Sequence, residues 1–126
     1  PFKVNSLGYI SDTSTMVAAY SCADLFVIPS LEDNLPNTIM ESMACGTPCV
    51  GFEIGGIPEM IDHRVNGYVA NYKDAGDLAN GIQWVLEHED RLALSDACVK
   101  KVQENYTEEV VAKQYTALYE KLLKGE

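Results

Sequence analysis

The apolar positions of the chain change period several times along its length, and each change marks a predicted element. Leu25 to Pro29 is an unbroken apolar run, which suits a strand covered on both faces, as in a parallel sheet. The stretch from Leu31 to Pro36 is acidic and turn-rich, so it reads as a loop. Ile39, Met40, Met43 and Ala44 then recur at helical spacing. They predict a helix opening near Asn37, with Gly46 as its C-cap and Pro48 as its stop. Cys49 to Phe52 is a second short apolar strand. Strand, loop, helix and strand in that order form a βαβ unit. In such sheets ligands bind outside the carboxyl ends of the strands, where loop backbone and a helix N-terminus converge.

The flanking segments extend this pattern. Residues 2–10 alternate loosely and predict a short strand ending at Gly8-Tyr9-Ile10. Ser11 or Asp12 can cap the next helix, whose Met16, Val17, Ala19 and Tyr20 lie near helical spacing up to Ala23. After Phe52, the pair Gly55-Gly56 permits a close backbone approach before a helical turn from about Pro58. Asn66-Gly67 signals a turn leading into a strand at Tyr68 to Ala70. Asp74 to Glu89 is predicted as a helix with Leu78, Ile82, Val85 and Leu86 on one face. Residues 91–104 form another, carrying Leu92, Leu94, Cys98 and Val102. Thr107 caps the last, which aligns Val111, Tyr115, Leu118 and Leu122.

Composition narrows the function classes. With 126 residues there is room for at most one domain, read here as part of one, and 47% hydrophobic with 22% charged residues is ordinary for a globular protein. No apolar run approaches the roughly 18 to 20 residues that span a bilayer, and the first residues lack a signal-peptide plan. A formal net charge of -10 argues against nucleic acid and anionic membrane as partners. No Lys or Arg occurs between Lys3 and Arg64. A phosphate bound by the central loop must therefore be held by backbone N–H groups and the helix dipole, or by cations from outside this chain. Cys22, Cys45, Cys49 and Cys98 lack a metal-ligand spacing and read as small buried thiols in a reducing compartment. His63 and His88 have no partner at catalytic spacing and read as surface residues.

PSLEDNLPNTIMESMACGTPCV, from Pro29 to Val50, closely resembles the nucleotide-sugar-binding signature of the retaining glycosyltransferases of family 4, the large group 1 set. LGYI, ADLFVIPS, EIGGIPEMI, NGYV and the helical tail follow the milestones of that family's C-terminal domain in order. The resemblance thus covers essentially the whole chain. It implies an α/β fold: a partial Rossmann-like domain, with a short parallel sheet flanked by helices and a helical C-terminal tail. It also implies a parent of two Rossmann-like domains facing across a cleft (the GT-B architecture), with the acceptor bound by the other domain.

The family hallmark is a pair of acids separated by seven residues, which selects Asp33 and Glu41 in this sequence. Most of the family has Glu at the first position. The shorter Asp33 leaves its contact open, with Glu32 as an alternative or a sharer of the role. By resemblance, Asp33 faces the donor sugar and is the catalytic position. Glu41 grips the ribose, and the N–H groups of Leu35, Asn37 and Thr38 beside Asn34 cradle the pyrophosphate. The backbone at Tyr9 and Ile10 borders the nucleobase. The plain alternative makes Asp33 and Asn34 turn residues, Asn37 a cap and Glu41 a solvated helix residue. The acids standing together at family spacing favour the resemblance. Met40 and Met43 read as helix core, and Tyr115 and Tyr119 as helix packing.

The resemblance implies further that the chain starts partway into its domain, lacking the first strands, the basic residues that grip the diphosphate, and the acceptor domain. The family sheet order is 3-2-1-4-5-6. The first strand here would then be strand 3, apart from strand 4, leaving a sheet edge that a partner copy in a homo-oligomer could cover. The implied parent is a cytoplasmic hexosyl-type glycosyltransferase, or one held peripherally at the inner face of the membrane by the missing domain, with polysaccharide biosynthesis as its setting. It takes a UDP- or GDP-type sugar donor and a carbohydrate or lipid-linked acceptor, and needs no metal or other cofactor. The fragment alone is expected to be inactive. The rival reading is a non-catalytic nucleotide-sugar-binding or interaction module. A sugar-nucleotide epimerase is a third, for which no catalytic acids with a His are found.

Overall fold

The structure is a computed structural model that describes residues 3–8, 10–32 and 37–123. Its elements, in order, are α1 (Thr13–Cys22), β1 (Phe26–Ile28), α2 (Asn37–Ala44), β2 (Cys49–Phe52), α3 (Ile57–Met60), β3 (Gly67–Ala70), α4 (Ala75–Leu86), α5 (Arg91–Asn105) and α6 (Glu108–Leu123). The three strands form one parallel sheet in the order β1-β2-β3, with Val27 opposite Val50 and Val50 opposite Tyr68. This is the expected α/β arrangement of a short parallel sheet flanked by helices, with a helical tail.

Strand β2 is the centre of the core, and all four of its residues are buried. Its pleat sends Cys49 toward Ile28, Ile39, Met43, Ile57 and Cys98, while Val50 and Phe52 join Tyr68, Ala70, Val85 and Leu94. A strand that feeds two clusters must be apolar at successive positions, and this is why the sequence there does not alternate. Gly67 is required because a Cβ there would run into the Cys49 carbonyl oxygen of the neighbouring strand. Gly46 ends the α2 region at φ +78°, a left-handed conformation that suits glycine.

Several expectations are corrected. The described residues of 2–10 form no strand: residues 3–8 are exposed and Ile10 is half-buried. The Val4 and Leu7 side chains meet no covering layer, and the segment pairs with no described strand, so nothing is gained by extending it. Cys22 is exposed, because it sits at the open end of α1, and Cys45 is only half-buried. Ala44, Leu86 and Leu92 also face outward. In α2 the inward position is taken by Ser42, whose hydroxyl donates to the Thr47 carbonyl at 3.0 Å and so loses its cost of burial. His88 is half-buried. The side chains of Val111, Tyr115, Leu118, Tyr119 and Leu122 lie outside the described residues.

Candidate functional site

Helix α2 leads away from the carboxyl end of β1, and its opening residues Asn37 and Thr38 lie in the first turn, where helix amides point out of the N-terminal end. Glu41 stands four residues on, about 6 Å along the axis. Ile39, Ser42 and Met43 form the inner face of α2, and all three are fully buried. Glu41 is consequently turned outward, toward α1.

There it meets Tyr20, whose hydroxyl donates to Glu41 Oε2 at 3.3 Å. Both residues lie on the wall of a pocket of about 420 Å³. Ile10, Asp12, Met16 and Val17 supply the α1 side of that wall, and Ala44 and Cys45 the α2 side. Asp12 opens α1 by accepting from the Thr15 amide at 2.8 Å and its hydroxyl at 2.6 Å. Those bonds hold its carboxyl below the usual value. The pocket is within the size range that holds small organic ligands, with a largely apolar wall and the polar groups of Asp12, Tyr20 and Glu41 set into it.

Among the sequence-predicted site residues, the structure brings Ile10 and Glu41 onto this one pocket. Glu32 is exposed in the loop after β1, and Asn37 and Thr38 stand at the mouth of α2, exposed and half-buried; none of the three is on the pocket wall. Tyr9, Asp33, Asn34 and Leu35 lie outside the described residues. Among the described residues no group of three or more His, Cys, Asp and Glu side chains is placed to hold a metal ion. Burial pushes the Cys49 and Cys98 thiols up to about 12, so both are neutral and unreactive. Each histidine is engaged with main chain: His63 Nδ1 accepts from the Val69 amide at 3.0 Å, and His88 Nδ1 from the Asp90 amide at 3.1 Å.

Residue spacing does not point to Tyr20 or Tyr72 as functional. Tyr72 OH donates to the Leu31 carbonyl at 2.9 Å, tying the loop after β3 to the loop after β1. Nearby, Asp77 accepts from the Tyr68 hydroxyl and the Asn71 amide, each at 2.7 Å. The Asn71 amide does most to hold the Asp77 carboxyl below its usual value. The Tyr72–Leu31 contact joins residues far apart in sequence, so only the polar tip of an otherwise apolar ring hints at it.

The sequence model described as "Glycosyl transferases group 1" matches residues 2–88. The chain belongs to this family. Among curated members of the wider group, it is 32% identical over 118 residues to the N,N'-diacetylbacillosaminyl-diphospho-undecaprenol alpha-1,3-N-acetylgalactosaminyltransferase of Campylobacter jejuni, covering 93% of this chain and 31% of that protein. Among solved structures, it resembles sucrose-phosphate synthase from Thermosynechococcus elongatus, with a TM-score of 0.77 and 29% identity. That likeness covers 92% of this chain and 29% of the synthase chain. Anabaena Alr3699/HepE, solved in complex with UDP, shares the fold at a TM-score of 0.71 and 20% identity, over 81% of this chain and 29% of its own. The chain therefore spans about 31% of the length of the first curated relatives it matches. No helix among its described residues is long and apolar enough to cross a membrane.

Proposed function

We propose that this chain is the donor-binding part of a glycosyltransferase that moves a hexosyl-type sugar from a nucleoside diphosphate to an acceptor hydroxyl, with retention. The observation that carries the proposal is the placement of Glu41 and Ile10 on one pocket beside the signature helix of a group 1 chain. In this reading Glu41 accepts from the vicinal ribose hydroxyls, and the base lies along the Ile10 side, a role the family resemblance gives to Tyr9 as well. A carboxylate has about four acceptor sites, so the bond from Tyr20 leaves Glu41 able to take both hydroxyls. That the fold neighbour HepE holds UDP supports a nucleotide of this class.

The diphosphate would lie across the mouth of α2, where the amides of Asn37 and Thr38 and the helix dipole favour negative charge, and the family signature assigns the Leu35 amide to the same role. Asp33, with Glu32 and Asn34 beside it, would meet the sugar. Catalysis then consists of stabilising the departing diphosphate while positive charge develops at the anomeric carbon, with the acceptor hydroxyl held in place by the other domain. Cations for the diphosphate come from outside the stretch between Lys3 and Arg64. The protein is read as cytoplasmic, with any membrane contact made through the acceptor-binding part.

Calorimetric titration of the full-length protein with UDP, GDP and their sugars tests this, beside Glu41→Ala. Loss of charge-assisted hydrogen bonds worth about 1.5–3 kcal/mol should weaken the preferred nucleotide roughly 10- to 100-fold. Equal binding by Glu41→Ala and the parent, or binding without sugar transfer to any hydroxyl acceptor, would remove the transferase reading in favour of a different pocket or a binding module.

A further inference from the structure

We propose that Tyr20 is a positioning residue for Glu41, its hydroxyl holding the carboxylate in the orientation that faces the pocket between α1 and α2. The inference rests on the reading of Glu41 as the nucleotide-gripping acid and adds to it a residue outside the signature string. Glu41 is exposed on its helix, and an exposed glutamate samples many rotamers, each of which must be given up when a ligand binds. The 3.3 Å bond from Tyr20 OH to Oε2 selects one of them in advance.

Tyr20 is suited to this because it is itself fixed. It is the one buried residue of α1, only 7% exposed, and its ring leans on Phe26 with centroids 5.6 Å apart. Its carbonyl accepts from the buried Thr47 hydroxyl at 2.6 Å. Thr47 in turn is locked to α2 twice, by its amide to the Ser42 carbonyl and by its carbonyl from the Ser42 hydroxyl, each at 3.0 Å. Ser42 is the residue after Glu41. The chain of contacts from Tyr20 through Thr47 and Ser42 back to Glu41 is therefore closed, and it sets the separation of the hydroxyl and the carboxylate. Burial, with the Glu41 charge second, pushes the phenol up to about 12, so the hydroxyl stays a donor at any ordinary pH.

The test uses the full-length protein with Tyr20→Phe, Glu41→Gln and the double variant. Calorimetry compares the nucleoside diphosphate, UDP or GDP, whichever binds more tightly, with its 2′,3′-dideoxy analogue. Tyr20→Phe should cut the ribo-to-dideoxy affinity ratio about three- to tenfold, leave the dideoxy affinity unchanged, and add nothing in the Glu41→Gln background. A purely structural role for the ring would lower the melting temperature without moving that ratio. If Glu41→Gln collapses the ratio and Tyr20→Phe leaves it at the parent value, the positioning role is overturned while the function reading stands. If Glu41→Gln itself leaves the ratio unchanged, the function reading falls first. Should Tyr20→Phe not fold, Thr47→Val, which removes the bond to the Tyr20 carbonyl, is held to the same ratio.

Discussion

Helices α1 and α4 are both opened by an aspartate whose carboxylate accepts from an amide three residues on, at 2.8 Å for Asp12 and 3.0 Å for Asp74. Beyond that first turn they diverge. Helix α4 lies against the sheet so closely that a Cβ on Gly81 would stand 2.5 Å from Tyr68 Cδ1 and 2.8 Å from Val50 Cγ1. Helix α1 buries only Tyr20, and its Met16 and Val17 are left half-buried and 47% exposed on the pocket wall. Apolar surface that α4 spends on the core is kept open on α1. Stability and binding therefore draw on different helices, and substitutions should separate them.

The largest separation should come from Gly81→Val. Forcing a branched side chain into the α4–sheet contact should destabilise by about 1–3 kcal/mol, read by chemical denaturation. Because Gly81 is remote from the pocket wall, the ribo-to-dideoxy ratio of the folded variant should match the parent. A change in that ratio would show that the two helices are not independent.

Val17→Ser should do the reverse. It removes apolar contact from the pocket wall while altering a half-exposed residue, so stability should move by no more than about 0.5 kcal/mol. Nucleotide affinity should fall about two- to fivefold, the scale of losing part of one buried aliphatic group. Unchanged affinity would place the ligand away from the α1 side of the pocket.

The same contrast explains what could be read in the sequence. The βαβ core was legible because its residues obey a local period: Ile39 and Met43 are fully buried, and Cys49 to Phe52 are buried at every position. Gly46 was legible because the backbone at φ +78° excludes most other residues. The loose alternation of residues 2–10 predicts a strand only where a covering layer exists, and Val4 at 85% and Leu7 at 68% exposure have none. By spacing, Tyr20 is one more apolar helix position. Its ring fits that description, but its hydroxyl acts through Glu41, a residue of the next helix, and no pattern within α1 encodes that meeting. Glu41 itself was legible only through the spacing of the signature, since an isolated helix glutamate carries no such information.

The caps give a smaller effect. Asp74→Ala removes an acceptor for the first turn of α4 and should cost about 1 kcal/mol. Asp12→Ala should act in the same direction on α1 and, because Asp12 also lines the pocket, should weaken nucleotide binding as well. Asp74→Ala should leave binding alone. Thermal melts beside calorimetry on the two variants test the pairing, and equal binding losses in both would dissolve the distinction between the helices.

Acid should produce the smallest and most specific effect. The carboxyl of Asp77 is held below its ordinary 3.8 by the Asn71 amide first and the Tyr68 hydroxyl second. A carboxyl with a depressed folded value contributes stability that is present above 3.8, because only the unfolded chain takes up its proton first as pH falls. That contribution diminishes below 3.8 and is gone once the pH drops under the folded value. Solvent screens both Asp77 and Asp12, so the acid limb should be shallow. In melts between roughly pH 5 and pH 2, Asp77→Asn should flatten this limb by removing the titrating group. Asp12→Asn should flatten it too, through the Thr15 bonds that depress that carboxyl. The two differ in what else moves: Asp77 is tied to Tyr68 and Asn71 and so to the sheet, whereas among the described residues Asp12 is tied only within its own first turn. Asp77→Asn should therefore also lower the melting temperature at neutral pH more than Asp12→Asn does. An acid limb unchanged by either variant would mean that other carboxyls govern the low-pH behaviour.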